Sequence, residues 1–171
     1  MNSLPCSTVV SRSTTPERIT GFQPLRPGNP TARRLTCGVG DTGPIRVLVC
    51  DDSPTFAAGL RRLLEHEPEI EVVGVRGSAE EAIAAVPELA PDLVTMDVEL
   101  PGMNGLDAVQ RIMREHPVPI LVLSSRTTVA EAALAAGAVA ALAKDEVALR
   151  EPDGDAATAL RRRLRTLAGR A

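Results

Sequence analysis

Apolar and polar positions follow two alternating periods from residue 45 onward. Ile45-Arg-Val-Leu-Val-Cys50 is a nearly unbroken apolar run of strand length, the pattern of a strand buried on both faces. Ser53-Pro54 offers an N-cap followed by proline at the first helical position, and Phe56, Leu60, Leu63 and Leu64 recur at helical spacing before Pro68. Ile70 to Val75 reads as a second strand. Ser78 and Glu81 make a capping box for a helix with the stripe Ala79, Ile83 and Val86. Leu93 to Met96 is a third strand ending on Asp97, and beyond the loop Leu100 to Gly105 the stripe Leu106, Val109, Ile112 and Met113 marks a third helix. Ile120 to Leu123 is a fourth strand running into Ser124-Ser125. Thr128 and Glu131 box the start of an alanine-rich fourth helix ending near Gly137. Ala138 to Ala143 is a weak fifth strand, and Leu160, Leu164 and Leu167 form the stripe of a last helix. Five strands each followed by a helix predict a parallel α/β sandwich with right-handed crossovers.

Composition adds a boundary. Residues 1–44 are half Pro, Gly, Ser and Thr, a mixture that cannot bury enough apolar surface to offset its ordering entropy, so a disordered tail is expected there and one folded domain over 45–171. The tail holds five Arg against Glu17 and Asp41, whereas residues 45–171 carry a net charge of −6 from 14 basic and 20 acidic residues. Overall the chain is at −3 with 1% aromatic residues, which suits neither a nucleic-acid surface nor stacking platforms for bases. No apolar run approaches the roughly 18 residues of a membrane span, and no secretory leader is evident. The three cysteines lack metal-ligand spacing and suit a reducing cytoplasm.

In an open parallel sheet, ligands bind beyond the carboxyl ends of the strands, where strand order reverses. With the flavodoxin-like order 2-1-3-4-5, Asp51-Asp52 after strand one and Asp97 after strand three flank that point. Ser124 follows strand four and Lys144 strand five. Three converging carboxylates repel one another, and a magnesium ion relieves this while accepting a phosphate oxygen. One carboxylate left free to attack is a nucleophile that forms an acyl phosphate, with the lysine as a point charge and the serine as a hydrogen-bond donor for phosphoryl oxygens. Lys144 is the single lysine against 18 arginines, at a position where a compact charge is required.

These residues, with the segments Ile45–Ser53, Glu69–Gly74, Asp92–Asp97, Pro101–Leu106 and Pro119–Ser125, resemble the response-regulator receiver domain, and within it the receiver half of chemotaxis methylesterases. The resemblance implies that Asp97 is the phosphoacceptor. It implies that Asp51 and Asp52 are the acidic pair at Mg2+, with Asp52, Asp97 and the Glu99 carbonyl as direct ligands. Ser124 and Lys144 are then the hydroxyl and ammonium that meet the phosphoryl group. A histidine kinase would supply that group, and a downstream protein would read the result. The family's proline after the lysine is Asp145 here, and its switch aromatic is Ala141. The span from Ser124 to Lys144 is short, so a trimmed fourth helix is expected.

The picture is thus a stand-alone cytoplasmic receiver without a methylesterase output. The alternative is a receiver-like interaction module that acts without phosphorylation. A haloacid-dehalogenase-like phosphatase needs Asp-x-Asp after its nucleophile strand, and Asp97-Val-Glu99 does not supply it. His66 and His116 fall near helix ends, in capping or solvated roles. The run Arg161-Arg-Arg-Leu-Arg165 is expected on the solvated face of the last helix, with no recognition motif for DNA.

Overall fold

The computed structural model describes residues 43–147 and 149–169; the tail expected over 1–44 lies outside them apart from Gly43 and Pro44. The elements run β1 (Ile45–Cys50), α1 (Pro54–Leu64), β2 (Ile70–Arg76), α2 (Ala79–Leu89), β3 (Leu93–Asp97), α3 (Gly105–Glu115), β4 (Ile120–Ser124), α4 (Ala130–Ala135), β5 (Ala140–Ala143) and α5 (Asp155–Leu167). The five strands pair in parallel, as the apolar pattern predicts, and their order β2-β1-β3-β4-β5 is the expected flavodoxin-like one.

Side chains alternate across the sheet and build two cores. Leu48, Met96 and Val122 face Ile83 and Val86 of α2 and Val109 and Ile112 of α3. Val47, Val49, Leu121 and Leu123 face Leu60 and Leu63 of α1 and Leu160 and Leu164 of α5. Each fully buried leucine or isoleucine contributes about 1.5–3 kcal/mol, so strands buried on both faces dominate the stability. Between β1 and β2 the register slips after Val47, whose partner is Val72 while Leu48 pairs with Gly74. A side chain at Gly74 would meet Leu89 Cδ1 at 2.9 Å, so the tip of that leucine would have to move to admit one.

Both serine caps form as expected. The Ser53 hydroxyl accepts from the Phe56 N–H and the Ser78 hydroxyl from the Glu81 N–H. The Glu81 carboxylate reaches back to the N–H of Gly77, one residue before the cap. The box expected at Thr128 and Glu131 is not made. A 3-10 turn over Thr127–Val129 leads into α4, whose cap position is Val129 and carries no side-chain bond. The short β4–α4 connection leaves six residues of α4, and β5 starts at Ala140, not Ala138.

The solvated-face reading of the arginine run is corrected at Arg161, which is 4% exposed. Its Nε donates to Glu67 at 2.8 Å, and its Nη1 to the carbonyls of Pro152 at 2.7 Å and Leu63 at 3.3 Å. The cause is helical geometry: position 161 lies one turn from Ala157 and from Leu164, on the face that packs against α1. Arg165 joins the cluster through Glu67 and through Glu69 at 3.0 Å. Removing one partner of a buried ion pair leaves desolvated acceptors behind. Arg161→Ala is therefore expected to lower unfolding stability by about 3 kcal/mol, read from the urea midpoint at constant slope. Exposed Arg162→Ala serves as the comparison and should stay within about 0.5 kcal/mol. Equal midpoints would show that the cluster stabilises nothing.

Candidate functional site

The carboxyl ends of β1 and β3 bring three carboxylates together. Asp51 follows β1 directly and is buried, Asp52 is exposed, and Asp97 closes β3 with 2% exposure. One oxygen from each lies within 4.8 Å of the others. Local backbone fixes the two buried ones: Asp51 Oδ1 accepts from the Ser53 N–H at 3.0 Å, and Asp97 Oδ1 from the Glu99 N–H at 3.2 Å. The loop after Asp97 turns back so tightly that the Gly105 N–H bonds the Val98 carbonyl at 3.1 Å. A Cβ at Gly105 would stand 1.9 Å from the Asp97 carbonyl oxygen, so glycine is required.

Lys144 follows β5, and its Nζ lies 2.6 Å from Asp97 Oδ2 and 2.7 Å from Asp51 Oδ2. The same ammonium sits 4.6 Å above the centroid of the Phe56 ring. Burial pulls this ammonium down, but the bonds and charges of Asp51 and Asp97 outweigh it and its pKa is raised. Burial also raises the Asp51 carboxyl, against the opposing effect of Lys144 and the Ser53 N–H. Beneath the cluster, Cys50 donates to the Ser78 carbonyl, and burial followed by the charges of Asp51 and Asp97 pushes its thiol up to about 12. Such a thiol is neither nucleophile nor ligand.

Ser124 ends β4, is fully buried, and accepts the Arg126 N–H at 3.0 Å. Asp97 pairs with Leu123 and Ser124 with Ala143, so the hydroxyl lies one strand position beyond Asp97 and one before Lys144. Glu99 is exposed, with its carboxylate 3.9 Å from Arg126 Nε. A depression of about 660 Å³ lined by Ser53, Phe56, Ser125 and Lys144 opens beside the cluster. The structure thus brings Asp51, Asp52, Asp97 and Lys144 into one site, joins Glu99 to it through its N–H bond to Asp97, and leaves Ser124 buried at the end of the neighbouring strand β4. Sequence reading missed Phe56 as a neighbour of Lys144, because its helical spacing marked it only as core. It assigned Gly105 to turn chemistry first, with support of the Asp97 loop second. The histidines take no part: His66 meets Asp153 at 2.6 Å, and the His116 N–H ends α3 on Ile112.

The donor set suits a hard divalent cation. All three groups offer carboxylate oxygens, the exposed Asp52 leaves water access, and no nitrogen or sulfur ligand competes for it among them. Fold and site together define a doubly wound α/β protein with a carboxylate–ammonium centre at its switch point. Residues 47–151 match the response regulator receiver domain, and the chain belongs to that family. It is 47% identical over 116 residues to a protein-glutamate methylesterase/protein-glutamine glutaminase of Agrobacterium fabrum, covering 66% of this chain and 33% of that protein. The equivalent protein of Rhizobium etli is 42% identical over 129 residues, covering 73% and 37%. The chain therefore spans about a third of the length of these relatives. The solved response regulator domain of Thermotoga maritima CheB superposes with a TM-score of 0.65 at 30% identity, over 74% of this chain and 97% of that one. Receiver domains bind Mg2+ through such acidic clusters, take phosphoryl groups from histidine kinases and act on downstream partners. Among the described residues no helix is long and apolar enough to cross a membrane.

Proposed function

We propose that the chain is a phosphorylation-driven receiver that acts in the cytoplasm. Asp97 takes a phosphoryl group from a histidine kinase, and a separate downstream protein reads the outcome. The observation that carries this is the Lys144 ammonium 2.6 Å from Asp97 Oδ2, within a cluster of three carboxylates. An Asp97 oxygen attacks phosphorus in line, the P–N bond to the kinase imidazole breaks, and the electron pair leaves with the ring. Asp51, Asp52, Asp97 and the Glu99 carbonyl would hold Mg2+. When bound, the ion offsets phosphoryl charge that the acidic cluster would otherwise repel. Lys144 exchanges its bond to Asp97 for the phosphoryl oxygens, and Ser124 turns its hydroxyl to them, releasing the Arg126 N–H. Arg126 lines a recess of about 120 Å³ with Val129 and Ala141, so that release reaches the α4–β5 face. Leu134 and Val139, 54% and 43% exposed, offer that face to a partner.

Intact-mass analysis after incubation with Mg2+ and acetyl phosphate tests the reading. One phosphoryl adduct is expected on the wild type and none on Asp97→Asn. A folded wild type without adduct in the presence of Mg2+ would favour the second reading, a receiver-shaped module that ignores phosphate. That reading draws on Ala141 and on the extra carboxylate Asp145 beside Lys144.

A further inference from the structure

We propose that the groove at the amino-terminal end of the sheet, opposite Asp97, is a docking site for the chain's own segment around Phe22. This is independent of the phosphoryl chemistry. The groove encloses about 600 Å³ between the end of α2 and the loops preceding β3 and β4. Four of its lining residues are prolines, Pro87, Pro91, Pro117 and Pro119, with Val86 and Val118 buried at its floor. Local chemistry makes the hollow. Pro87 lies inside α2 and gives no N–H to the helix, Ala90 ends that helix in the left-handed region at φ 43°, and Pro117 forbids α3 to continue. Its polar rim consists of Arg46, Asp92, Glu115 and His116, with Glu115 paired to Arg111 at 3.0 Å and Asp92 accepting the Arg46 N–H at 3.0 Å.

Three features point to residues 1–42 as the occupant. They join the sheet at this very end: Pro44 precedes β1 by one residue, and Arg46, in β1, is a wall of the groove. Roughly 20 residues separate Phe22 from Gly43, a length of chain that could span at most about 70 Å. Tethering of this kind raises the effective concentration to about the millimolar range, so a weak contact is populated. The chemistry also matches. The valine and proline part of the groove is apolar and holds no phenylalanine, tyrosine or tryptophan, and Phe22 is one of only two phenylalanines in the chain. Arg18 and Arg26 flank it within a segment of net charge +3, and the residues from 45 onward carry −6.

A nitroxide on the full chain reads the contact directly. It is attached to Gln23→Cys in a Cys6→Ser/Cys37→Ser background, where the remaining Cys50 is buried. Loss of the His116 and Val118 amide signals is expected, with Ser125 at the opposite end unaffected, and the Phe22→Ala variant should restore them. The groove residues are untouched in that variant, so folding does not confuse the reading. No broadening, broadening spread evenly over the domain, or broadening that survives Phe22→Ala would overturn the proposal. So would broadening of an unlabelled isotopic copy mixed with the spin-labelled chain, which would make the occupant a second molecule. The measurement needs neither Mg2+ nor phosphate, so its outcome is separate from that of the Asp97 test.

Discussion

Gly105→Ala should impair phosphoryl acceptance at Asp97 and destabilise the fold together. The added Cβ would lie 1.9 Å from the Asp97 carbonyl oxygen, 2.8 Å from its carbonyl carbon and 2.9 Å from Val98 Cα. All three are backbone atoms at or just beyond the end of the buried strand β3, so no side chain can rotate away to make room. The loop after β3 must open, which breaks the Gly105–Val98 bond and withdraws the Glu99 N–H that orients Asp97 Oδ1. Overpacking of this kind costs about 1–3 kcal/mol in a yielding core, and a backbone clash falls at the upper end or beyond. The urea midpoint should drop accordingly, and the Asp97 adduct should form far more slowly under conditions where the variant is still folded. Gly77→Ala is the control, because a Cβ there meets nothing within 4 Å. Equal behaviour of the two variants would show that the loop adapts and that its tightness does not position Asp97.

The order of elements was legible because β1 and β4 are near-continuous apolar runs, and Ser53 and Ser78 are caps whose chemistry is local. The site was legible for a related reason: in a parallel sheet the residue after each strand is placed by topology, so Asp51, Asp97 and Lys144 meet without any contact having to be guessed. What stayed hidden depends on packing between distant segments. Thr128 had the residue types of a box, yet the short β4–α4 connection winds into a 3-10 turn first. Arg161 was judged by its charge, whereas its helical phase places it with Ala157 and Leu164. The edge strand β5 is alanine-rich, and alanine does not distinguish strand from turn, so its start moved from Ala138 to Ala140. The cation–ring contact between Lys144 and Phe56 joins residues that share no local pattern.

Lys144→Met should separate the two tasks of that ammonium. Methionine keeps the length and the apolar contact with Phe56 but leaves Asp51 and Asp97 facing each other with no cation, both with side chains 2% exposed. Breaking a buried pair by removing one partner typically costs about 3–5 kcal/mol. The sign of the pH dependence follows from Asp51. Its carboxyl is already raised by burial, and losing Lys144 removes the leading influence that opposed this. A carboxyl with a folded pKa above its unfolded value destabilises the fold once it must ionise. The deficit against wild type is therefore expected to be full near neutrality and to shrink as pH falls toward the carboxylate range. Under the proposed function a divalent cation would compete with Lys144 for the same two carboxylates, so Mg2+ should stabilise the variant more than the wild type. Adduct formation should nevertheless fall, because the positive charge that would meet the transferred oxygens in the proposed reaction is gone. Thermal unfolding with and without Mg2+, paired with the mass assay, reads both effects. An unchanged Mg2+ response in the variant would mean that the bridge from Lys144 to Asp51 and Asp97 does not hold those carboxylates, and that the lysine serves the phosphoryl group alone.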